Sequence, residues 1–418
     1  MGFEWYLDFV DRDYEPSDEL ICVFRAEPDG ISMEEAAGRI ASESSVGTWT
    51  TLSKLPERIK RLMARAFEID GNVVKVAYPL DLFEEGNIPQ LLSSVAGNIF
   101  GMRALKSLRL EDIHFPSEYL KHFKGPQFGI EGVRELLGIY DRPLTATVPK
   151  PKVGYDEDEY AEVAYDALSG GIDILKDDEN LTSQPFIRFE KRLENVMKVI
   201  EKVEAETGEK KTYLCNITAE TEEMRRRAEL IADYGNEYAM VDILTAGWGA
   251  VQTVREFCEE LGLAIHAHRA MHGAFTRKDD HGISLAVITK LARIAGVDNM
   301  HVGTGVGKMA GEASEVERLR EVCVSEWEEA KHIKRVFPVS SGGLHPGLIP
   351  DVMRLFGTDV IIQVGGGVHG HPGGTRAGAK ALRDSIDAVI EGISLEEKAE
   401  RSKELRESLE KWGYVSPK

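Results

Sequence analysis

Eight short apolar runs, each followed by a charged segment of helical character, constrain this chain more than any other feature. They are TATVPK (145–150), IDILK (172–176), TYLCNIT (212–218), AMVDIL (239–244), LAIHAH (263–268), NMHVGT (299–304), VFPVSS (336–341) and VIIQV (360–364). Between them lie segments such as PFIRFEKRLENVMKVIEKVEAETG. Eight strands alternating with helices are the pattern of an α/β chain closed into a (β/α)8 TIM barrel. A doubly wound sheet is the alternative, disfavoured by the strand count and by where the polar residues fall.

The region ahead of this alternation reads differently. ELICVFRA (19–26) predicts a strand and SMEEAAGRIASES (32–44) a helix. ARAFEID and VVKVAYPL flank Gly71-Asn72, a hairpin signal. A helix through PQLLSSVAGNIF and a strand around RALKSLRLEDI complete a β-α-β-β-α-β order, which is ferredoxin-like. Pro and Gly punctuate HFPSEYLKHFKGPQFG (114–129). The expected division is therefore an N-terminal α+β domain over 1–125 and a barrel over 126–418, and a length of 418 residues suits two domains. The C-terminal SLEEKAERSKELRESLEKWG reads as a charged helix packed on the barrel, with no chemistry of its own.

With 51 Lys and Arg against 71 Asp and Glu, the formal charge is −20. Such a surface argues against nucleic acid or an anionic membrane as partner. Any anion site must then be a local concentration of positive charge. The four cysteines, Cys22, Cys215, Cys258 and Cys323, are scattered, which indicates neither a disulfide framework nor a thiolate zinc site. No signal peptide and no membrane-spanning run are expected, so the chain is placed in the cytoplasm.

In a barrel the reactive groups lie at the C-terminal ends of the strands. Here those ends carry Lys150 and Lys152; Lys176, Asp177, Asp178 and Glu179; Asn216; His266, His268 and Arg269; His301; Ser341; and Gly365 to Gly367. Asp178 and Glu179 offer hard oxygen ligands, which suit Mg²⁺ better than zinc and leave positions open for water and substrate. Lys176 would ordinarily be an ion-pair partner; reaction with CO2 could instead make it an anionic carbamate ligand, rare chemistry that these four residues alone do not suggest. In HAHRAMH (266–272) the i,i+4 spacing of His268 and His272 leaves a zinc site open, although a neutral His268 acting as base suits an oxygen-ligand rim better.

The glycines suggest phosphate. SGG (341–343) and GGG (365–367) expose backbone N–H groups where barrels commonly hold that anion. Arg269 and His301 offer a second anion site, and two such sites imply a bisphosphate. GTGVGK (303–308) does not match the nucleotide-binding G-x-x-x-x-G-K-[ST] pattern and reads better as a hinged lid carrying Lys308.

Taken together, KDDEN (176–180), HRAMH (268–272), GTGVGKM (303–309), SSGGLHPG (340–347) and QVGGGVHGHPGG (363–374) resemble the ribulose-bisphosphate carboxylase large subunit. ESSVGTWTT (43–51) and GNIFGM (97–102) do so in the first domain, and VPKPKVGY, KDDENLTS and EKWGYVSP are most similar to the archaeal form III enzymes. The resemblance implies carboxylation of ribulose 1,5-bisphosphate to two 3-phosphoglycerates, with O2 competing, in salvage of nucleoside ribose. It implies Mg²⁺ held by Asp178, Glu179 and a carbamylated Lys176, with CO2 as activator. It implies that Lys150, with Lys152 beside it, handles protons, that His268 assists hydration, and that Lys308 closes over the incoming CO2. Arg269, His301 and Ser341 would grip one phosphate, and Thr48, Trp49, Gly343, Gly365 and Gly366 the other. Gly342 and Gln363 join the substrate-binding set, and Glu43 and Asn98 would reach in from a neighbouring subunit. A homodimer or an assembly of dimers is implied, without a small subunit.

Some positions depart from the family pattern. Val148 stands where plant-type enzymes carry a substrate-contacting Thr, Val46 replaces a Thr, and the stretch from Glu312 to Phe337 is short. Two rivals are a relative that enolises or isomerises a phosphosugar without fixing CO2, and a non-catalytic phosphosugar-binding barrel. Retention of Glu43, Asn98, Lys150, Lys176, Lys308 and Ser341 argues against the first. Both metal carboxylates and the lid lysine argue against the second.

Overall fold

The computed structural model describes residues 3–306 and 310–414. Its strands, in chain order, are β1 (Leu20–Pro28), β2 (Arg65–Asp70), β3 (Val73–Tyr78), β4 (Leu105–His114), β5 (Leu144–Thr147), β6 (Ile174–Lys176), β7 (Thr212–Asn216), β8 (Tyr238–Asp242), β9 (Ala264–His268), β10 (Gly282–Ile283), β11 (Asn299–His301), β12 (Phe337–Ser341) and β13 (Ile361–Gln363). They fall into two compact units. One comprises Met1–Lys124 with Met271–Ala295 and Trp327–Ile333; the other comprises Gly125–Ala270, Gly296–Glu326 and Lys334–Lys418.

The first unit holds a five-stranded sheet in the order β10-β4-β1-β3-β2. The neighbours of β1 are antiparallel to it, and β2 pairs with β3 across the two-residue loop Gly71-Asn72. Leu20, Cys22, Phe24 and Ala26 alternate inward along β1 because successive strand side chains take opposite faces. The helix Met33–Glu43 starts where the Ser32 side chain accepts the Glu35 backbone N–H. The β4-β1-β3-β2 core is the ferredoxin-like order expected from the sequence. The short β10 adds a parallel edge beside β4, and the helix Leu285–Ala295, buried at ten of its eleven positions, packs against β4 as well.

The second unit is a closed parallel barrel in the order β11-β12-β13-β5-β6-β7-β8-β9. All eight strands fall on the runs read from the sequence. Its lower interior is apolar: Leu144, Ile174, Leu214, Met240, Val339 and Ile361 share one cluster with Ile130, Val133 and Leu137 of the helix Gly129–Leu137. Each large aliphatic side chain so buried contributes about 1.5–3 kcal/mol. The Asp298 carboxylate accepts the N–H groups of Phe128, Gly129 and Ile265 at 2.7–2.9 Å, which pins the start of that helix to β9. With the lower interior closed, reactive groups have room only at the upper rim.

All four cysteines are buried and none forms a disulfide. No helix among the described residues is long and apolar enough to cross a membrane.

Candidate active site

The upper ends of the barrel strands surround a cavity of about 560 Å³. Its walls include Val148, Lys150 and Lys152 after β5, Asp178 and Glu179 after β6, His268 on β9 and His301 on β11. Ser341 ends β12 and Gly342 to His345 follow it, and Gln363 with Gly365 to Gly367 close the ring at β13. One rim thus gathers most of the residues singled out in the sequence. Lys176 lies wholly buried rather than in the wall, and Arg269 is partly buried beside Gly303. Lys308 lies outside the described residues.

The motif after β6 is built on a buried charge. Asp177 accepts the hydroxyls of Tyr160 (2.7 Å) and Tyr213 (2.5 Å), the Arg192 guanidinium (3.0 Å) and the Asn216 backbone N–H (2.9 Å). Asp177 and Arg192 are both 0% exposed, and four donors satisfy the carboxylate fully. Fixing Asp177 inward sets the direction of the next two residues, and both Asp178 and Glu179 line the cavity. Asp178 accepts the side-chain and backbone N–H groups of Asn180 on one oxygen and Lys150 Nζ, at 3.1 Å, on the other. Burial would raise its pKa, but these donors outweigh burial and hold it below the usual carboxylate range.

Lys176 donates to the Asp177 carbonyl at 2.8 Å. Burial pulls its ammonium below the usual lysine range, against the opposing charges of Glu179, Asp242, Asp178 and Asp177. Asp242, at the end of β8, leaves Oδ1 buried with no hydrogen-bond donor. That oxygen is 3.5 Å from His268 Nδ1, which accepts the Ala270 N–H, while His268 Nε2 is 3.6 Å from Glu179. Burial and the Lys176 charge push His268 below its ordinary value, and Asp242 and Glu179 oppose the shift only in part.

These residues fit a hard divalent cation. Asp178 and Glu179 present carboxylate oxygens to the cavity, the donor type such a cation takes, with undonated carboxylate capacity at Asp242 nearby. Among the described residues no group of three or more His, Cys, Asp or Glu is arranged to hold a metal ion. Two carboxylates are therefore what the unmodified side chains offer in the cavity wall. The zinc alternative for HAHRAMH loses its premise: β9 ends at His268, Met271 takes φ 75°, and the two histidines share no helix face.

Another stretch of the wall, after β12 and β13, is built of glycine backbone. Gly342 and Gly343 have φ of 108° and 66°, conformations that side-chain-bearing residues rarely adopt. A Cβ on Gly367 would lie 2.4 Å from the Leu344 carbonyl oxygen, so only glycine allows the loops after β12 and β13 to approach this closely. His301 Nδ1 is 2.8 Å from Ser341 Oγ. Burial lowers the Arg269 guanidinium to about 10, with Glu315 opposing, and Arg269 makes no hydrogen bond among the described residues. A cation in that condition is suited to an anionic ligand.

The first unit carries its own group. Glu43, which ends the helix Met33–Glu43, accepts the Tyr6 hydroxyl at 3.1 Å, and the Thr48 carbonyl accepts the Trp5 indole N–H. That helix packs against the turn Asn98–Gly101. Trp49 is 77% exposed, and Asn98 is exposed too.

Sequence reasoning did not single out Asp242, beside the wall, nor His345, Lys411 and Trp412, which line it. The helix Lys403–Trp412, expected to carry no chemistry, puts Lys411 and Trp412 in the cavity wall, with Trp412 stacked on His345 at 5.8 Å. Asp242 had a signal, since it is the one charged residue within the apolar run AMVDIL (239–244). The C-terminal pair had none, because its place depends on where the helix docks.

The family model for the ribulose bisphosphate carboxylase large chain, catalytic domain, matches residues 129–412, and that for its N-terminal domain matches residues 8–119. The chain belongs to the ribulose bisphosphate carboxylase large-chain family. The family's relatives include the ribulose bisphosphate carboxylase of Pyrococcus furiosus, 62% identical with 100% of both chains covered. That of Archaeoglobus fulgidus is 51% identical over 99% of each. Among solved structures of the family, the octameric ribulose-1,5-bisphosphate carboxylase/oxygenase of Pyrococcus horikoshii OT3, in complex with sulfate ion, superposes with a TM-score of 0.94 at 61% identity, covering 99% of this chain and 98% of that one. The dimeric archaeal Rubisco of Hyperthermus butylicus gives 0.93 at 54% identity, covering 98% and 100%.

Proposed function

We propose that this chain is a Mg²⁺-dependent ribulose 1,5-bisphosphate carboxylase, with O2 as competing substrate, working in salvage of nucleoside ribose. One observation carries the reading: a buried lysine, two cavity-facing carboxylates and two glycine-rich loops lie together at the strand ends. Family membership and the archaeal relatives support it.

Lys176 is the group to activate. Its burial favours the neutral amine, whose lone pair attacks CO2; an N–C bond forms, a proton leaves, and the side chain becomes an anionic carbamate. With Asp178 and Glu179 it completes a three-oxygen ligand set. The cation, when bound, would supply positive charge to oxygens on which negative charge develops. The loops at Gly342, Gly343, Gly365 and Gly366 bind one phosphate through backbone N–H groups, aided by Thr48 and Trp49, and Arg269, His301 and Ser341 serve the other. Gln363 lines the sugar between them. The carbamate takes the C3 proton, and the electron pair left behind forms the C2–C3 double bond of an enediolate. Its C2 attacks CO2, held by Lys308. Neutral His268 accepts a proton from the water that adds at C3. The C2–C3 bond then breaks, and Lys150, with Lys152 beside it, protonates the carbanion, giving two 3-phosphoglycerates. Val148 leaves that wall without a hydroxyl contact.

The working unit in this proposal is a homodimer or an assembly of dimers, with Glu43, Thr48, Trp49 and Asn98 serving the barrel of a second copy. Labelled bicarbonate with ribulose 1,5-bisphosphate and Mg²⁺ should yield labelled 3-phosphoglycerate; an unlabelled product, or none, would reject the reading. A mixed dimer of Glu43→Gln and Lys176→Met chains should regain on the order of half the wild-type rate, if the sites act independently. Folded mixed dimers as inactive as their parents would place Glu43 with its own barrel.

A further inference from the structure

Inside the barrel, Tyr238, Asn299 and His266, which have no part in the steps above, form a row of polar side chains with His301 and Ser341 of the cavity wall. Tyr238 Oη is 2.9 Å from Asn299 Oδ1, and Asn299 Nδ2 is 3.4 Å from His266 Nδ1. His266 Nε2 is 2.9 Å from His301 Nε2, and His301 Nδ1 reaches Ser341 Oγ at 2.8 Å. Tyr238, Asn299 and His266 are 0% exposed and His301 is 3% exposed. Buried polar groups are costly unless each is paired, so the row has to be internally consistent from end to end.

Consistency leaves two arrangements. Each nitrogen of a neutral imidazole is either a donor or an acceptor, never both. Burial is the largest of the causes that push both rings well below their ordinary value, and a buried ring favours its neutral form. A single proton therefore lies between His266 Nε2 and His301 Nε2, and its owner decides every other bond in the row. In one polarity Tyr238 donates to the Asn299 carbonyl, the Asn299 amide donates to His266 Nδ1, His266 donates to His301, and His301 Nδ1–H donates to Ser341. In the other every bond is reversed, and Ser341 spends its proton inward. The Asn299 amide, with its oxygen toward Tyr238 and its nitrogen toward His266, matches the first. A phosphate oxygen only accepts, so the first also suits an anion at Ser341.

We propose that Tyr238, Asn299, His266 and His301 form a polarised relay that holds the His301 proton on Nδ1 and leaves the Ser341 hydroxyl proton free for an anionic oxygen of the ligand. The inference rests on the reading of this rim as a phosphate site. Tyr238, Asn299 and His266 are then positioning residues, and His301 acts through Ser341.

Asn299→Asp is the variant that inverts the relay, since a carboxylate accepts where the amide donated and is nearly isosteric with it. It should raise the KM for ribulose 1,5-bisphosphate, and the dissociation constant for inorganic phosphate, about tenfold, the scale of one charge-assisted hydrogen bond. kcat should change far less. Tyr238→Phe should act in the same direction more weakly. Ser341→Ala should match Asn299→Asp, and the double variant should be no worse than Ser341→Ala alone, because both remove the same proton. Neutron diffraction on wild-type crystals soaked in inorganic phosphate should place deuterium on His301 Nδ1 and none on its Nε2. Deuterium on Nε2, wild-type phosphate affinity in folded Asn299→Asp, or additive losses in the double variant would each overturn the relay. If Asn299→Asp fails to fold, Tyr238→Phe and the neutron map decide. Phosphate binding and the neutron map need no turnover, so an absence of carboxylation rejects the proposed activity without deciding the relay.

Discussion

The β6 side of the rim holds its shape with buried charge, whereas the loops after β12 and β13 hold theirs with backbone. Around Asp177 one carboxylate gathers four donors, and its charge is matched by a guanidinium with no access to water. In the loops after β12 and β13, the glycine wall depends on two residues with positive φ and on a close approach that only glycine permits. Charge is concentrated, so the first half should fail at single atoms. Backbone N–H groups are many and similar, so the second should weaken by degrees.

The sharpest test of that contrast is Lys176→Met, which should abolish turnover while leaving phosphate binding at the cradle intact. Wild-type enzyme stripped of CO2 should start slowly and gain activity when pre-incubated with CO2 and Mg²⁺ together; full initial activity without pre-incubation would break the assignment. The pH dependence has a definite sign. Burial lowers the Lys176 pKa, so the neutral amine appears as pH rises through a value below 10.5. Activation at fixed CO2 should therefore speed up with pH and level off before an ordinary lysine would.

Asp177→Asn comes next. It leaves the Arg192 guanidinium buried without a counter-charge, a change that costs about 3–5 kcal/mol in comparable pairs. Denaturant unfolding should show that loss. Because Asp177 aims Asp178 and Glu179, turnover should fall by about a hundredfold, the scale of a misplaced catalytic geometry. A folded variant with normal turnover would mean the pair braces the barrel alone.

Gly343→Ala tests the other half. At φ 66° an added Cβ costs about 1–2 kcal/mol, and relief of that strain turns one N–H away from the cradle. We expect the KM for the bisphosphate to rise by roughly threefold to tenfold, with kcat within about twofold and the need for CO2 activation unchanged. Loss of turnover at saturating substrate would show that the two halves are coupled more tightly than their construction suggests.

What could be read from the sequence follows the same division. The eight barrel strands and the ferredoxin-like order were legible because local periodicity and turn residues encode them. So were the rim residues that end a strand, since strand direction alone delivers them to one face. β10 was not, because two residues carry no period and its partner β4 lies far away in the chain. Nor was the grouping of 271–295 with the first unit, since that stretch sits within the strand–helix alternation. Asp177 looked like its neighbours Asp178 and Glu179. What separates them is an inward-facing set from Tyr160, Arg192, Tyr213 and Asn216, spread over three elements.

The smallest expected effect falls on Lys411, and it bears on whether the cradle is built of backbone alone. Its ammonium donates to the Gly370 carbonyl at 2.5 Å, beside the loop that carries Gly365 to Gly367, yet the residue is exposed. An exposed charge is screened within about 10 Å at 0.1 M salt. If backbone N–H groups do the binding, Lys411→Ala should raise the KM by less than about twofold at low ionic strength and not measurably at 1 M salt, where the screening length shrinks to about 3 Å. Stability should change by less than about 0.5 kcal/mol. A tenfold rise that persists at high salt would make Lys411 a direct ligand. The cradle would then owe its affinity to a side chain on the C-terminal helix, and the contrast between the two halves of the rim would fail at that point.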